Sequence, residues 1–170
     1  MCKLFQATSY LKYKLKAVDE HGIHSPFLFD LVTNVLYDKS SYYIFNELEK
    51  QRDKLLISKE VIEVTDLGAG STVMKSNKRS VSDIARFSLK SAKYAQLLFK
   101  LVNYFKPNNI IELGTSLGLT SMYLAFPNKD SDVFTIEGCP NISSFAAKLF
   151  RPYKLINLRP WIGDFKQELP

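Results

Sequence analysis

Three short runs in this chain hold residue types that together suit a nucleoside. The run N-I-I-E-L-G-T-S-L-G at residues 109–118 sets a carboxylate, Glu112, two residues before Gly114, with a second glycine, Gly118, four further on. It reads as a short buried strand entering a tight glycine turn and then a helix that starts near Leu119. The run V-F-T-I-E at residues 133–137 is a second apolar strand that ends on an acid, Glu137. A glycine turn lets backbone amides and a helix N-terminus come close to a ligand, and an acid at the next strand tip accepts hydrogen bonds from two ribose hydroxyls. Downstream, W-I-G-D-F at residues 161–165 puts Asp164 after a third strand candidate.

The spacing separates this turn from other nucleotide turns. A dinucleotide fingerprint requires G-x-G-x-x-G, and position 116 is serine. A phosphate loop requires a glycine and lysine where Leu119 and Thr120 stand. The E-x-G-T-x-x-G run, the acid at 137 and the G-D-F element instead resemble class I S-adenosylmethionine-dependent methyltransferases, in particular small-molecule O-methyltransferases of the catechol type. That resemblance implies a Rossmann-like α/β fold with S-adenosylmethionine as cofactor. It implies that Glu112 and the turn with Gly114, Thr115 and Gly118 face the methionine part, that Glu137 holds the ribose, and that Asp164 lies beside the adenine, with Ser121 also among the residues that hold the cofactor. Leu169-Pro170 resembles the L-P that often follows the last element. A Gly-Asp pair also suits a helix cap, so Asp164 carries that second reading.

A second glycine run, D-L-G-A-G-S at residues 66–71, resembles the commoner D-x-G-x-G form of the same motif. A polar, basic stretch follows it at residues 72–80, with no apolar helical period and no acid-tipped strand at about the distance a ribose carboxylate requires. The cofactor is therefore expected at residues 112–118, and the earlier run is expected to be a loop that packs near the pocket.

H-G-I-H-S-P-F at residues 21–27 contains both histidines of the chain. Together with D-x-G-A-G-S and E-L-G-T-S-L-G it resembles one group of bacterial class I methyltransferases in which a helical N-terminal segment precedes the cofactor domain. On that resemblance His21 or His24 lines the acceptor pocket. No third metal ligand is visible beside them, and no metal is expected.

The chain has 170 residues, 46% of them hydrophobic, and a formal net charge of +6. No run of about eighteen apolar residues is present, so no membrane partner is expected. Two widely separated cysteines and the absence of an apolar leader point to the cytoplasm, with Cys139 a small packing residue. The basic residues are spread out and no RNA-binding signature with interleaved aromatics is present. The acceptor is therefore expected to be an oxygen of a small molecule, with RNA methylation and a non-catalytic binding or interaction module as the competing readings.

The elements that must position these groups follow from periodicity. Residues 9–18, 27–37 and 42–56 read as helices, 61–64 as a strand, and Ser80 or Ser82 caps a short helix through residue 87. A longer helix from Ser91 carries Tyr94, Leu97, Leu98, Leu101, Val102 and Phe105 on one face and stops before Pro107. From residue 109 on, strand, helix, strand, helix and strand alternate, which is α/β with a parallel sheet. The expected organisation is a helical cap over residues 1–90 and the first half of a cofactor-binding domain over residues 91–170. The strand that carries any metal-binding or catalytic acid is expected beyond residue 170, so no catalytic residue is assigned. The sheet edge left by that missing strand points to a homodimer.

Overall fold

A computed structural model describes residues 3–17, 19–65 and 76–168. The chain divides into two compact units, Met1–Lys39 and Ser40–Pro170.

The first unit holds helix α1 (Lys3–Lys16), a 3-10 turn at Glu20–Gly22, and helix α2 (Pro26–Leu31), which continues into a π-helical segment at Val32–Leu36. Ser25 caps α2, with its hydroxyl accepting from the Leu28 N–H, and Pro26 stands at the first helical position, where its missing N–H costs nothing. The sequence places the first helix from residue 9; among the described residues it runs from Lys3, and its first turn holds no acid.

In the second unit, α3 (Tyr43–Ile57) is followed by strand β1 (Val61–Glu63), which pairs antiparallel with β2 (Lys78–Ser80). The sequence reads residues 72–80 as loop, yet Lys78–Ser80 is a strand, because pairing with β1 supplies the backbone partners that its polar side chains do not advertise. The glycine run at residues 66–71 lies outside the described residues. Ser80 then caps α4 (Val81–Ser88) by accepting from the Asp83 N–H at 3.1 Å.

Helix α5 (Ala92–Phe105) ends where Lys106 turns left-handed ahead of Pro107. Its buried residues are Ala95, Phe99 and Val102, so the expected face holds at Val102, with Leu98 packed against the core, and is rotated towards Ala95 and Phe99; Tyr94 and Phe105 are exposed. The reason is the aromatic layer with α3. Phe99 meets Phe45 edge-on at 4.9 Å and Tyr42 at 4.7 Å, and Phe45 reaches Tyr123 at 5.9 Å. These rings select the helix face that lies over them.

The rest of the unit is β3 (Asn109–Leu113), α6 (Leu119–Ala125), β4 (Asp132–Glu137), α7 (Pro140–Phe150), β5 (Leu158–Ile162) and the short α8 (Phe165–Glu168). The three strands form a parallel sheet in the order β3-β4-β5, so the chain folds as a Rossmann-like α/β unit. Register sets Ile111 beside Phe134 and Arg159, and Leu113 beside Ile136 and Trp161. One face of the sheet, with Val133, Thr135 and Leu158, is buried beneath α6 and α7. On the other, Ile111 is 64% exposed and Trp161 57%. Parallel sheets ordinarily have both faces covered. Strand β3 also forms an edge, with no strand paired on its outer side among the described residues.

Candidate functional site

The turn after β3 is built from local backbone requirements. Gly114 has φ +91° and Gly118 φ +84°, both in the region that side chains oppose. The N–H groups of Gly114 and Thr115 donate to the Ile136 carbonyl at 2.9 and 3.2 Å, which carries the β3–β4 ladder into the turn. Gly118 N–H closes it on the Thr115 carbonyl at 2.9 Å. Ser116, between them, is also left-handed at φ +49°, a strain of about 1–2 kcal/mol for a residue with a Cβ. Two contacts hold it there: its N–H donates to Glu137 Oε2 at 2.8 Å, and its hydroxyl lies 2.9 Å from that of Ser88 on α4.

Glu137 is the centre of the arrangement. Its second oxygen accepts from the Cys139 N–H at 3.0 Å, so two backbone amides orient the carboxylate at the tip of β4. It lines a cavity of about 320 Å³ together with Gly114, Ser116, Gly138, Gly163 and Asp164. The sequence-derived ribose, turn and adenine positions thus share one cavity. Asp164 also fulfils its second reading, since its carboxylate accepts from the Lys166 N–H at 3.0 Å at the start of α8.

Residues that the sequence did not single out form the facing wall: Val64, Thr65, Arg79, Ile84 and Ser88, from the β1–β2 hairpin and α4. Three contacts tie this wall to the strand tips. Thr65 N–H donates to Cys139 Sγ at 3.3 Å, Asn141 Nδ2 donates to the Glu63 carbonyl at 2.8 Å, and Ser88 meets Ser116. Cys139 is buried, a packing residue at this junction. The one sequence signal for the wall is the D-x-G-A-G-S run that begins just after Thr65; the run itself is outside the described residues.

The remaining residues lie elsewhere. Glu112 lines a neighbouring cavity of about 410 Å³ that also touches Gly114, Thr115 and Ser116. Its Oε2 accepts from the hydroxyls of Ser121 and of Thr135, the latter at 2.7 Å. Thr115 is buried with its hydroxyl 2.6 Å from that of Thr135. Ser121 is fully buried and meets Glu112, and it lines neither cavity. Gly118 lines neither cavity and packs on Phe150 and Ala146 of α7. His21 and His24 belong to the first unit, where both are exposed and Asp19 accepts the His21 N–H at 3.1 Å. No cluster of metal-ligating side chains is present among the described residues.

Burial pushes the Glu112 carboxyl above the ordinary carboxylate range; the Ser121 and Thr135 hydroxyls pull it back, and the Glu137 charge adds to the rise. A carboxyl raised on folding takes up protons relative to the unfolded chain. Its charge therefore opposes folding fully above the folded pKa, and that cost disappears as pH falls to the unfolded value of about 4.3. Glu112→Gln should accordingly raise the melting temperature at pH 7 and lose its advantage near pH 4. Thermal unfolding followed by circular dichroism at the two pH values checks this; an equal loss of stability at both would show that the hydroxyl contacts outweigh burial.

No protein-family model matches the chain, and no curated protein matches it. Solved structures do. The chain is similar to an O-methyltransferase from Bacillus cereus in complex with S-adenosylhomocysteine, at 16% identity over 82% of this chain and 51% of that one, with a TM-score of 0.46. It is similar to the O-methyltransferase TomG from Streptomyces achromogenes in complex with S-adenosylmethionine, at 26% identity over 48% of this chain and 38% of the other, with a TM-score of 0.46. A methyltransferase from Geobacter sulfurreducens matches at 20% identity over 49% of this chain and 45% of its own, again with a TM-score of 0.46. The chain spans about half, or less, of the length of these structures.

Proposed function

We propose that this chain binds S-adenosylmethionine and belongs to a class I methyltransferase that transfers methyl to an oxygen of a small molecule. The observation that carries the reading is the Glu137 carboxylate, fixed by two backbone amides in the same cavity as Gly114 and Asp164. The chemistry of the residues fits the cofactor. Glu137 supplies acceptor lone pairs for a ribose diol, Gly114 leaves open space where a side chain would project, and Asp164, in the same cavity, would supply an acceptor for the adenine edge. Glu112, Gly114, Thr115, Gly118 and Ser121 are proposed to hold the methionine part, with Glu112, Gly114 and Thr115 lining one cavity and Ser121 bonded to the Glu112 carboxylate.

When bound, the cofactor supplies an electrophilic methyl on a sulfonium. The chain's residues contribute orientation and water exclusion: Glu137 fixes the ribose, and Val64, Ile84 and Ile142 line the cavity with apolar surface. The acceptor is proposed as a small oxygen nucleophile. RNA methylation is the second enzyme reading, carried by the positive charge; activity of the whole protein on catechols against tRNA separates the two.

Titration calorimetry with S-adenosylhomocysteine tests the binding claim. Glu137→Ala removes the charge-assisted bonds to the ribose and should cost about 1.5–3 kcal/mol, roughly tenfold or more in affinity. The same change strips the Ser116 and Cys139 amides of their acceptor, so melting temperature is measured alongside. Unchanged affinity in a folded variant would remove the ribose assignment.

The exposed sheet face and the outer edge of β3 support a proposal of self-association, with the cytoplasm as the proposed location. That face is apolar at Ile111, Leu113, Phe134 and Trp161, and its charged pair, Arg159 with Asp132 at 3.0 Å, is internally neutralised. A neutral apolar face beside an unpaired edge fits a second copy related by a two-fold axis. Light scattering during size-exclusion chromatography at low micromolar concentration should give twice the 19.5 kDa chain mass. A monomer that keeps its fold would end the dimer proposal.

A further inference from the structure

Helix α1 has no role in the site described above, and its chemistry differs from that of the sheet face. Its sequence, K-L-F-Q-A-T-S-Y-L-K-Y-K-L-K, has four lysines, Lys3, Lys12, Lys14 and Lys16, and no acid. Every side chain from Leu4 to Lys16 is exposed, with Leu4 at 73% and Leu15 at 80%. At 3.6 residues per turn Leu4, Leu11 and Leu15 fall within about 40° of one another, a single apolar stripe. Lys14 lies about 80° to one side of that stripe and Lys12 about 80° to the other, with Lys16 beyond Lys12. Lysines at the borders of an apolar stripe keep their ammonium groups in water beside it; the Lys14 ammonium lies 6.0 Å from the Tyr10 ring centroid. Tyr10 and Tyr13, in ring contact at 6.4 Å, lie towards the opposite side, which stays in water when the stripe is buried.

A helix of this length is marginal in water without a surface to pack against. Charge decides which surface fits. Pairing α1 with α1 of a second copy brings like charges together in either orientation, because the helix offers no carboxylate to answer its lysines. An anionic lipid surface answers all of them at once, and the leucine stripe enters the headgroup boundary below. No described helix is long and apolar enough to cross a membrane. A helix lying in the interface needs no such span. We infer that α1 is a reversible anchor that places the chain on anionic membranes, with Leu4, Leu11 and Leu15 inserted and Lys12, Lys14 and Lys16 at the headgroups. The inference is independent of the methyltransferase reading.

The test is co-sedimentation of the full chain with vesicles of phosphatidylcholine alone or mixed one to one with phosphatidylglycerol, at low salt. Binding should require the anionic lipid. It should weaken by about fivefold for each lysine neutralised and be lost, by more than 100-fold, when Lys12 and Lys16 are both changed to Glu. Leu11→Ser with Leu15→Ser keeps the charge and should also weaken binding by at least tenfold, which an RNA-binding arm or a purely electrostatic contact would not show. Because these side chains are exposed, circular dichroism of the variants should match the parent. No binding to the anionic vesicles, or binding indifferent to both pairs of substitutions, would overturn the inference. Crosslinks from α1 to a second copy in the absence of lipid would overturn it equally, in favour of a protein partner.

Discussion

Gly114→Val should give a folded chain that no longer binds S-adenosylhomocysteine, with affinity falling on the order of 100-fold or more. The stability cost is limited. A Cβ at Gly114 meets no atom within 4 Å, so the penalty is that of a β-branched residue at φ +91°, about 1–3 kcal/mol. The binding cost is large because that open space belongs to both cavities at the turn, and a valine fills the volume into which the methionine part must fit. Calorimetry gives the affinity and near-ultraviolet circular dichroism the fold. Gly68→Val, in the upstream glycine run, should leave affinity in place. A folded Gly68 variant that loses binding while Gly114→Val retains it would exchange the roles of the two turns.

The parts of this site that could be read in the sequence are those whose cause is local. The β3 turn declares itself because two left-handed positions need glycine, and Glu137 because a carboxylate ends an otherwise apolar strand. Asp164 is equally local, in a Gly-Asp pair whose carboxylate accepts from the Lys166 N–H at the start of α8. The facing wall is a different matter. Thr65 meets Cys139, and Ser88 meets Ser116, across 74 and 28 residues of chain, and neither threonine nor serine in such a segment announces a distant partner. Strand β2 was hidden for a related reason: K-R-S has no apolar alternation, and only the pairing with β1 makes it a strand.

Helix α5 shows how a correct element can carry a partly wrong face. Counting large apolar residues favours Tyr94, Leu97, Leu98, Leu101, Val102 and Phe105, of which Val102 is buried, but the small Ala95 is buried as well and Phe99 completes the rings of Tyr42 and Phe45. Packing geometry, not total hydrophobicity, decided the orientation. Glu112 makes the same point for chemistry. Its position before the glycine turn suggested a ligand contact, while its strongest partners are the hydroxyls of Ser121 and Thr135, two residues that present as ordinary polar positions in a helix and a strand.

Gly118 looks in sequence like the second cofactor glycine, and in the fold it also carries a packing duty with a large consequence for stability. A Cβ built there lies 2.5 and 2.6 Å from two ring atoms of Phe150 and 3.0 Å from the Ala146 Cβ. Phe150 is itself buried, so its ring cannot swing clear without opening the core around α7. Backbone strain at φ +84° contributes about 1–2 kcal/mol and the overlap about 1–3 more, so Gly118→Ala should lose about 2–5 kcal/mol. That is a large share of the 5–15 kcal/mol typical of a domain. Urea denaturation reads the loss. Phe150→Leu, introduced into the Gly118→Ala background, should recover the steric part and leave the strain, and this coupling distinguishes packing from ligand binding as the reason for the glycine. Additive losses in the double variant, or a Gly118→Ala chain as stable as the parent, would mean that Phe150 is not what position 118 must avoid.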